Sequence, residues 1–112
     1  QATTIYFNTI ADNTLGSYGL QINAGCVNTI AKDNILFNNP GTAIINNGTG
    51  TTQDHNQTSN PSFTGGAGTD PYGLQGGSTA IGAGVAIVGI TTDYRGVTRA
   101  SPPSIGAYEG LT

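Results

Sequence analysis

Apolar and polar residues alternate in short runs through the first half of the chain, as in Ile5-Tyr6-Phe7-Asn8-Thr9-Ile10 and Leu20-Gln21-Ile22. A period of two sends successive side chains to opposite faces of a strand. The pattern predicts short β-strands with one face on a shared core and the other in water. Asn13, Asn23, Asn34 and Asn46 close these runs. Asparagine tolerates left-handed backbone, so each is expected to form a sharp corner.

The runs repeat. Phe7-Asn8-Thr9-Ile10-Ala11-Asp12-Asn13 matches Val27-Asn28-Thr29-Ile30-Ala31-Lys32-Asp33-Asn34, and Leu20-Gln21-Ile22-Asn23 matches Ala43-Ile44-Ile45-Asn46. The offset is 20 residues from Ile10 to Ile30, 21 from Asn13 to Asn34 and 23 from Ile22 to Ile45. Strands that recur while the turns between them absorb insertions are the mark of a solenoid with stacked parallel sheets. A third, less regular unit runs from Thr51 to Phe63. After a Gly-rich loop at Gly65 to Gly68, the apolar stretches Ala80-Ile81 and Val85 to Ile90 are expected to close the end of the core. The organisation is thus one unit over residues 1–112, with about three coils in 1–63 and a loop and C-terminal cap in 64–112. Nothing comparable covers the first coil, because Gln1 to Thr4 is too short to cross it. Open strand edges template pairing, so upstream coils or another copy of the chain are expected there.

Composition agrees with an all-β chain. Charged residues make up only 8%, too few for the charged face of ordinary surface helices, and 18 glycines suit many tight turns. The net charge of −3 leaves no basic stripe for a phosphate backbone, which argues against nucleic-acid binding. No apolar run is long enough to span a membrane as a helix. Cys26 is the only cysteine and reads as a small apolar core residue.

The last third is the most distinctive. Leu74-Gln75-Gly76-Gly77-Ser78-Thr79-Ala80-Ile81-Gly82-Ala83-Gly84, then Asp93-Tyr94-Arg95-Gly96-Val97-Thr98-Arg99, then Ile105-Gly106-Ala107-Tyr108-Glu109 resembles the terminus of bacterial right-handed parallel β-helix repeat proteins of the pectate-lyase-like superfamily. Asp54-His55-Asn56 and Asn60-Pro61-Ser62-Phe63 resemble the penultimate coil of that group. Thr79 stands where the group usually has proline, and Gly82 where it usually has aspartate. The resemblance implies a right-handed parallel β-helix and a secreted or cell-surface protein associated with carbohydrate. It leaves activity open, since members include polysaccharide lyases, glycoside hydrolases and surface proteins without known chemistry.

Several residues invite a chemical role. Asp93, Arg99 and Glu109 are expected to form a structural clasp, the aspartate accepting backbone N–H bonds and the arginine forking onto a carboxylate. Asp54 beside His55, the only histidine, suggests acid/base or ligand contact but lacks a neighbouring nucleophile or metal-ligand set. Asp12 and Asp33 occupy equivalent positions in the sequence match and are expected to stack, where carboxylates of two coils could hold Ca²⁺. The nonapeptide pattern of Ca²⁺-binding solenoids is absent, so no cofactor is assigned. Of Tyr6, Tyr18, Tyr72, Tyr94 and Tyr108, the loop residues Tyr18 and Tyr72 are the preferred sugar contacts. Asn47 and Asn56 fit the N-glycosylation pattern.

Three functional readings follow. The first is a non-catalytic C-terminal segment of a secreted β-helix protein with polysaccharide as its partner. The second is part of a lyase or hydrolase whose active site lies mostly upstream. The third is a structural subunit that stacks into an oligomer or filament.

Overall fold

The structure, a computed structural model, describes residues 3–65 and 70–110. Most of the Gly-rich loop expected at Gly65 to Gly68 therefore lies outside the described residues. The described chain is all-β and has no helix. Its strands are β1 (Thr4–Tyr6), β2 (Thr9–Ala11), β3 (Tyr18–Ile22), β4 (Ile30–Lys32), β5 (Ile35–Phe37), β6 (Thr42–Asn46) and β7 (Thr52–Asp54). They form three parallel sheets, ordered β1-β4-β7, β2-β5 and β3-β6. Each pass of the chain thus lays one row of strands on the previous row.

The register differs from the one read in the sequence. Thr4 pairs with Ile30 and Thr9 with Ile35, so Ile10 lies beside Leu36 and not Ile30. Gln21, not Ile22, pairs with Ile45. The cause is that each row carries two similar corners a few residues apart. The sequence match slid the second corner of row one onto the first corner of row two.

The corners are also built differently from expectation. The left-handed residues other than glycine are Phe7, Asp12, Asn28, Asp33, Asn38, His55 and Ser62, with φ between 55° and 63°. Asn13 and Asn34 follow such residues and do not adopt that conformation. Their side chains stack from row to row. Asn34 Oδ1 accepts from the Asn8 backbone N–H at 2.9 Å, and its Nδ2 donates to Ile5 O at 2.9 Å in the preceding row. Asn56 does the same one row later, accepting from Asn34 N–H at 3.0 Å and donating to Ala31 O at 2.9 Å. Asn39 repeats the device at the second corner, on Asn13 and Ile10. Buried backbone groups at a bend need partners, and this ladder supplies them without a strand.

Residues 74–110 form no strand and pack along the flank of sheet β2-β5. Gln57 Nε2 donates to Thr79 Oγ1 at 2.8 Å in row three, Gly106 N–H to Asp33 O at 2.8 Å in row two, and Ala107 N–H to Thr9 Oγ1 at 2.9 Å in row one. The segment therefore bonds to all three rows along their side. Its core contact is Ile35 with Leu74, Ala80 and Ile105, flanked by Phe37, Phe63 and Ile81. Gly106 permits this closeness: at φ +93°, a Cβ there would come within 2.6 Å of Ile35 Cδ1 and 2.8 Å of Thr9 Oγ1.

Two sequence-based core assignments fail. Of the stretch Val85 to Ile90, no residue is fully buried and Val88 is fully exposed, because the segment is anchored by its neighbours Ala80 and Ile105. Cys26 is exposed in the turn between β3 and β4.

Candidate functional site

A cleft of about 330 Å³ opens where the C-terminal segment meets row one. Its floor is Asn8, Thr9 and Ala11 of the first corner and β2, and Ala107 joins it through the bond to Thr9. Its walls are Tyr72, Tyr94 and Tyr108. Tyr72 meets Phe63 edge to face at 5.1 Å, and its hydroxyl donates to Asp12 Oδ2 at 3.0 Å. The other Asp12 oxygen accepts from Asn38 Nδ2 at 2.8 Å. Tyr94 and Tyr108 form a second edge-to-face pair at 5.7 Å, and the Arg95 guanidinium lies 5.0 Å from the Tyr108 ring centre. Tyr94 keeps 78% of its surface exposed, so one ring face is open to a ligand.

The turn that carries Tyr94 is fixed by Asp93. Asp93 Oδ1 accepts from the backbone N–H of Arg95 at 2.8 Å and Val97 at 2.9 Å, and Oδ2 accepts from Glu109 N–H at 2.7 Å. Gly96, at φ +83°, completes the turn. Burial pushes the Asp93 carboxyl up, but the three amides, from Glu109, Val97 and Arg95, outweigh it and hold the group below its ordinary value. Arg99 and Glu109 meet at 3.6 Å with 5% side-chain exposure each. Arg99 also donates to Ser104 O and Gly106 O and lies 3.9 Å over the Phe7 ring, which joins the C-terminal segment to row one. Burial lowers the Arg99 pKa, against the pull of Glu109 and Asp93. Asp93, Arg99 and Glu109 are thus neighbours in one buried polar cluster that supports the cleft wall.

The remaining candidates lie elsewhere. His55 Nδ1 is 2.9 Å from Asp54 Oδ1, and Lys32 Nζ is 3.8 Å from Asp54 Oδ2. His55 and Asp54 border a separate cleft of about 250 Å³ with Ile44, Gln53, Asn56 and Thr58. Tyr18 is half-exposed on β3 and lines neither cleft. Asp12 and Asp33 do not stack: Ala11 pairs with Phe37, so Asp12 neighbours Asn38, while Asp33 follows Lys32, the partner of Tyr6. The geometric premise of a shared Ca²⁺ site is therefore removed. No group of three or more His, Cys, Asp or Glu suited to a metal ion occurs among the described residues. Asn56 spends its amide in the ladder, whereas Asn47 is exposed.

Sequence reading missed the contribution of Asn8, Thr9 and Ala107, since nothing in the chain marks residues so far apart as neighbours. It placed Asp33 beside Asp12 and missed its burial. This fully buried carboxyl accepts Val85 N–H on Oδ1 at 2.8 Å, and Oδ2 has no hydrogen-bond partner among the described residues. Burial pushes its pKa up, partly offset by the Val85 amide.

No protein-family model, curated protein or solved structure matches the chain. No helix among the described residues is long and apolar enough to cross a membrane.

Proposed function

We propose that the chain is the C-terminal part of a right-handed parallel β-helix protein, secreted or held at a cell surface, that binds carbohydrate without transforming it. The fold reading is supported by three rows in parallel register, by the asparagine ladder at one corner, and by the resemblance of the last third to pectate-lyase-like termini. The tyrosine cleft carries the functional reading. Aromatic rings stack on the C–H faces of pyranose rings while their polar tips stay wet. Asn8 and Thr9 on the floor add amide and hydroxyl groups suited to sugar hydroxyls. Small-molecule sites combine such apolar walls with a few polar groups.

Calorimetry against a panel of oligosaccharides tests the reading. Binding is expected for at least one glycan, weakened about tenfold in Tyr94→Ala, a change consistent with roughly 1.4 kcal/mol. Tyr94 is largely exposed, so its removal leaves the core intact. Absence of binding across the panel overturns the reading. The second reading, a contribution to a lyase or hydrolase groove completed elsewhere, rests on the His55 and Asp54 pair. Polysaccharide turnover that disappears in His55→Ala would replace binding with catalysis.

The same proposal has a further row covering β1, β2 and β3, supplied by upstream residues or by another copy. Among the described residues nothing pairs with their outer edges. Asn8 Nδ2 donates to Tyr6 O at 3.2 Å and to Asn34 Oδ1 at 3.1 Å.

A further inference from the structure

The charges around the tyrosine cleft are unevenly matched. Asp12 is fixed at its margin by the Tyr72 hydroxyl at 3.0 Å. Asp70 Oδ2 is 3.3 Å from Arg95 Nη1, and the Arg95 guanidinium lies 5.0 Å from the ring centre of Tyr108 in the cleft wall. Arg95 is shared between two carboxylates, because its Nη2 is also 3.5 Å from Asp93 Oδ2. Among the described residues, Asp12 hydrogen-bonds to the Tyr72 hydroxyl and the Asn38 amide, both neutral.

The sequence has three basic side chains, and each already has an acidic partner. Arg95 has Asp70 and Asp93, Arg99 has Glu109, and Lys32 has Asp54 at 3.8 Å. His55 is likewise held by Asp54. Recognition of a sugar carboxylate or sulfate needs an arginine or lysine free to face it. Here a carboxylate in the cleft would lie beside two tyrosines that each have an acidic neighbour, Tyr72 with Asp12 and Tyr108 with Asp70. The same two groups make the tyrosines harder to ionise: the Asp12 hydrogen bond raises Tyr72, and burial followed by Asp70 raises Tyr108.

Resting on the carbohydrate reading above, we propose that the cleft selects uncharged hexose or pentose units and rejects uronates and sulfated sugars. The neutral hydroxymethyl group is tolerated where a carboxylate at the same carbon meets like charge. This separates the site from one built for acidic polysaccharides, in which cations balance the substrate.

Matched pairs that differ only at C6 provide the test. The chain is titrated with β-1,4-mannohexaose and hexamannuronate, with cellohexaose and its C6-oxidised form, and with the α-linked galactose and galacturonate hexamers. Binding is followed by calorimetry and by tyrosine fluorescence, which is unmasked because the sequence has no tryptophan. At low salt the neutral member of a bound pair is expected to bind on the order of tenfold more tightly. That gap should narrow with added salt and in Asp12→Asn, which keeps an acceptor for Tyr72. A uronate that binds as tightly as its neutral partner, or more tightly, overturns the selectivity while leaving the carbohydrate reading intact. Failure of every hexamer to bind removes that reading and the selectivity with it.

Discussion

Asp33 and Asp93 are both buried carboxyls whose pKa burial pushes up, yet their net shifts are opposite. Asp93 receives three backbone N–H bonds that outweigh desolvation, so its folded pKa lies below the ordinary 3.8. Its contribution to stability is present above 3.8 and is lost as pH falls through the folded value. Asp33 receives only Val85 N–H on its side chain, and desolvation raises its pKa above 3.8. Between 3.8 and that raised value the folded state binds more protons than the unfolded state, so Asp33 adds stability as pH falls through this window. Above it, the ionised carboxylate is a net cost. Relative to wild type, Asp33→Asn is therefore expected to gain stability as pH rises from 3.8 through the raised folded value of Asp33 and to level off above it, as read by urea unfolding. A difference independent of pH would contradict the assignment. The clasp trio was legible because Asp-x-x-Gly-x-x-Arg spacing states its own turn chemistry. Asp33 was not, since its role depends on Val85 and Gly106, which only the fold brings to it.

At the scale of the element, strands of three to five residues cannot hold themselves, and the corners carry much of the specification. Alternation and repetition in the sequence were enough to indicate short parallel strands. They were not enough to fix register, because two corners in each row look alike and only the asparagine contacts distinguish them. Nor did they identify which corner residue is left-handed: Phe7 is an unlikely candidate by composition, yet it has φ 55° with Asn8 beside it. The ladder makes a graded expectation. Asn34 bonds to the rows on both sides and is fully buried, whereas Asn8 is exposed and has a neighbour on one side. Each buried group left unpaired costs roughly 1–3 kcal/mol. Asn34→Ala is expected to lower unfolding free energy by at least about 2 kcal/mol, and Asn8→Ala by less than about 1 kcal/mol. Equal losses in chemical denaturation would show that the ladder is not what holds the corner.

For the whole molecule, the decisive feature is the route of residues 74–110 along the flank of β2-β5. The resemblance and the apolar stretches suggested a lid over the end of the core. The lateral course follows from Ala80 and Ile105 packing on Ile35, from Gly106 closing on the same side chain, and from Arg99 lying over Phe7. That course creates the cleft, because it sets Tyr94 and Tyr108 opposite Asn8 and Thr9. Of the two loop tyrosines preferred from the sequence, Tyr72 lines this cleft and Tyr18 lies on β3 away from it, while Tyr94 and Tyr108 join it only through the fold. The central claim is that a saccharide occupies this junction. Residue-resolved amide NMR of the full chain, titrated with whichever glycan binds in calorimetry, tests it most directly. The account expects the largest shifts at Asn8, Thr9, Tyr94 and Ala107, with Asp54, His55 and Thr58 unmoved. Shifts confined to the His55 cleft, or spread without focus over the surface, would contradict it.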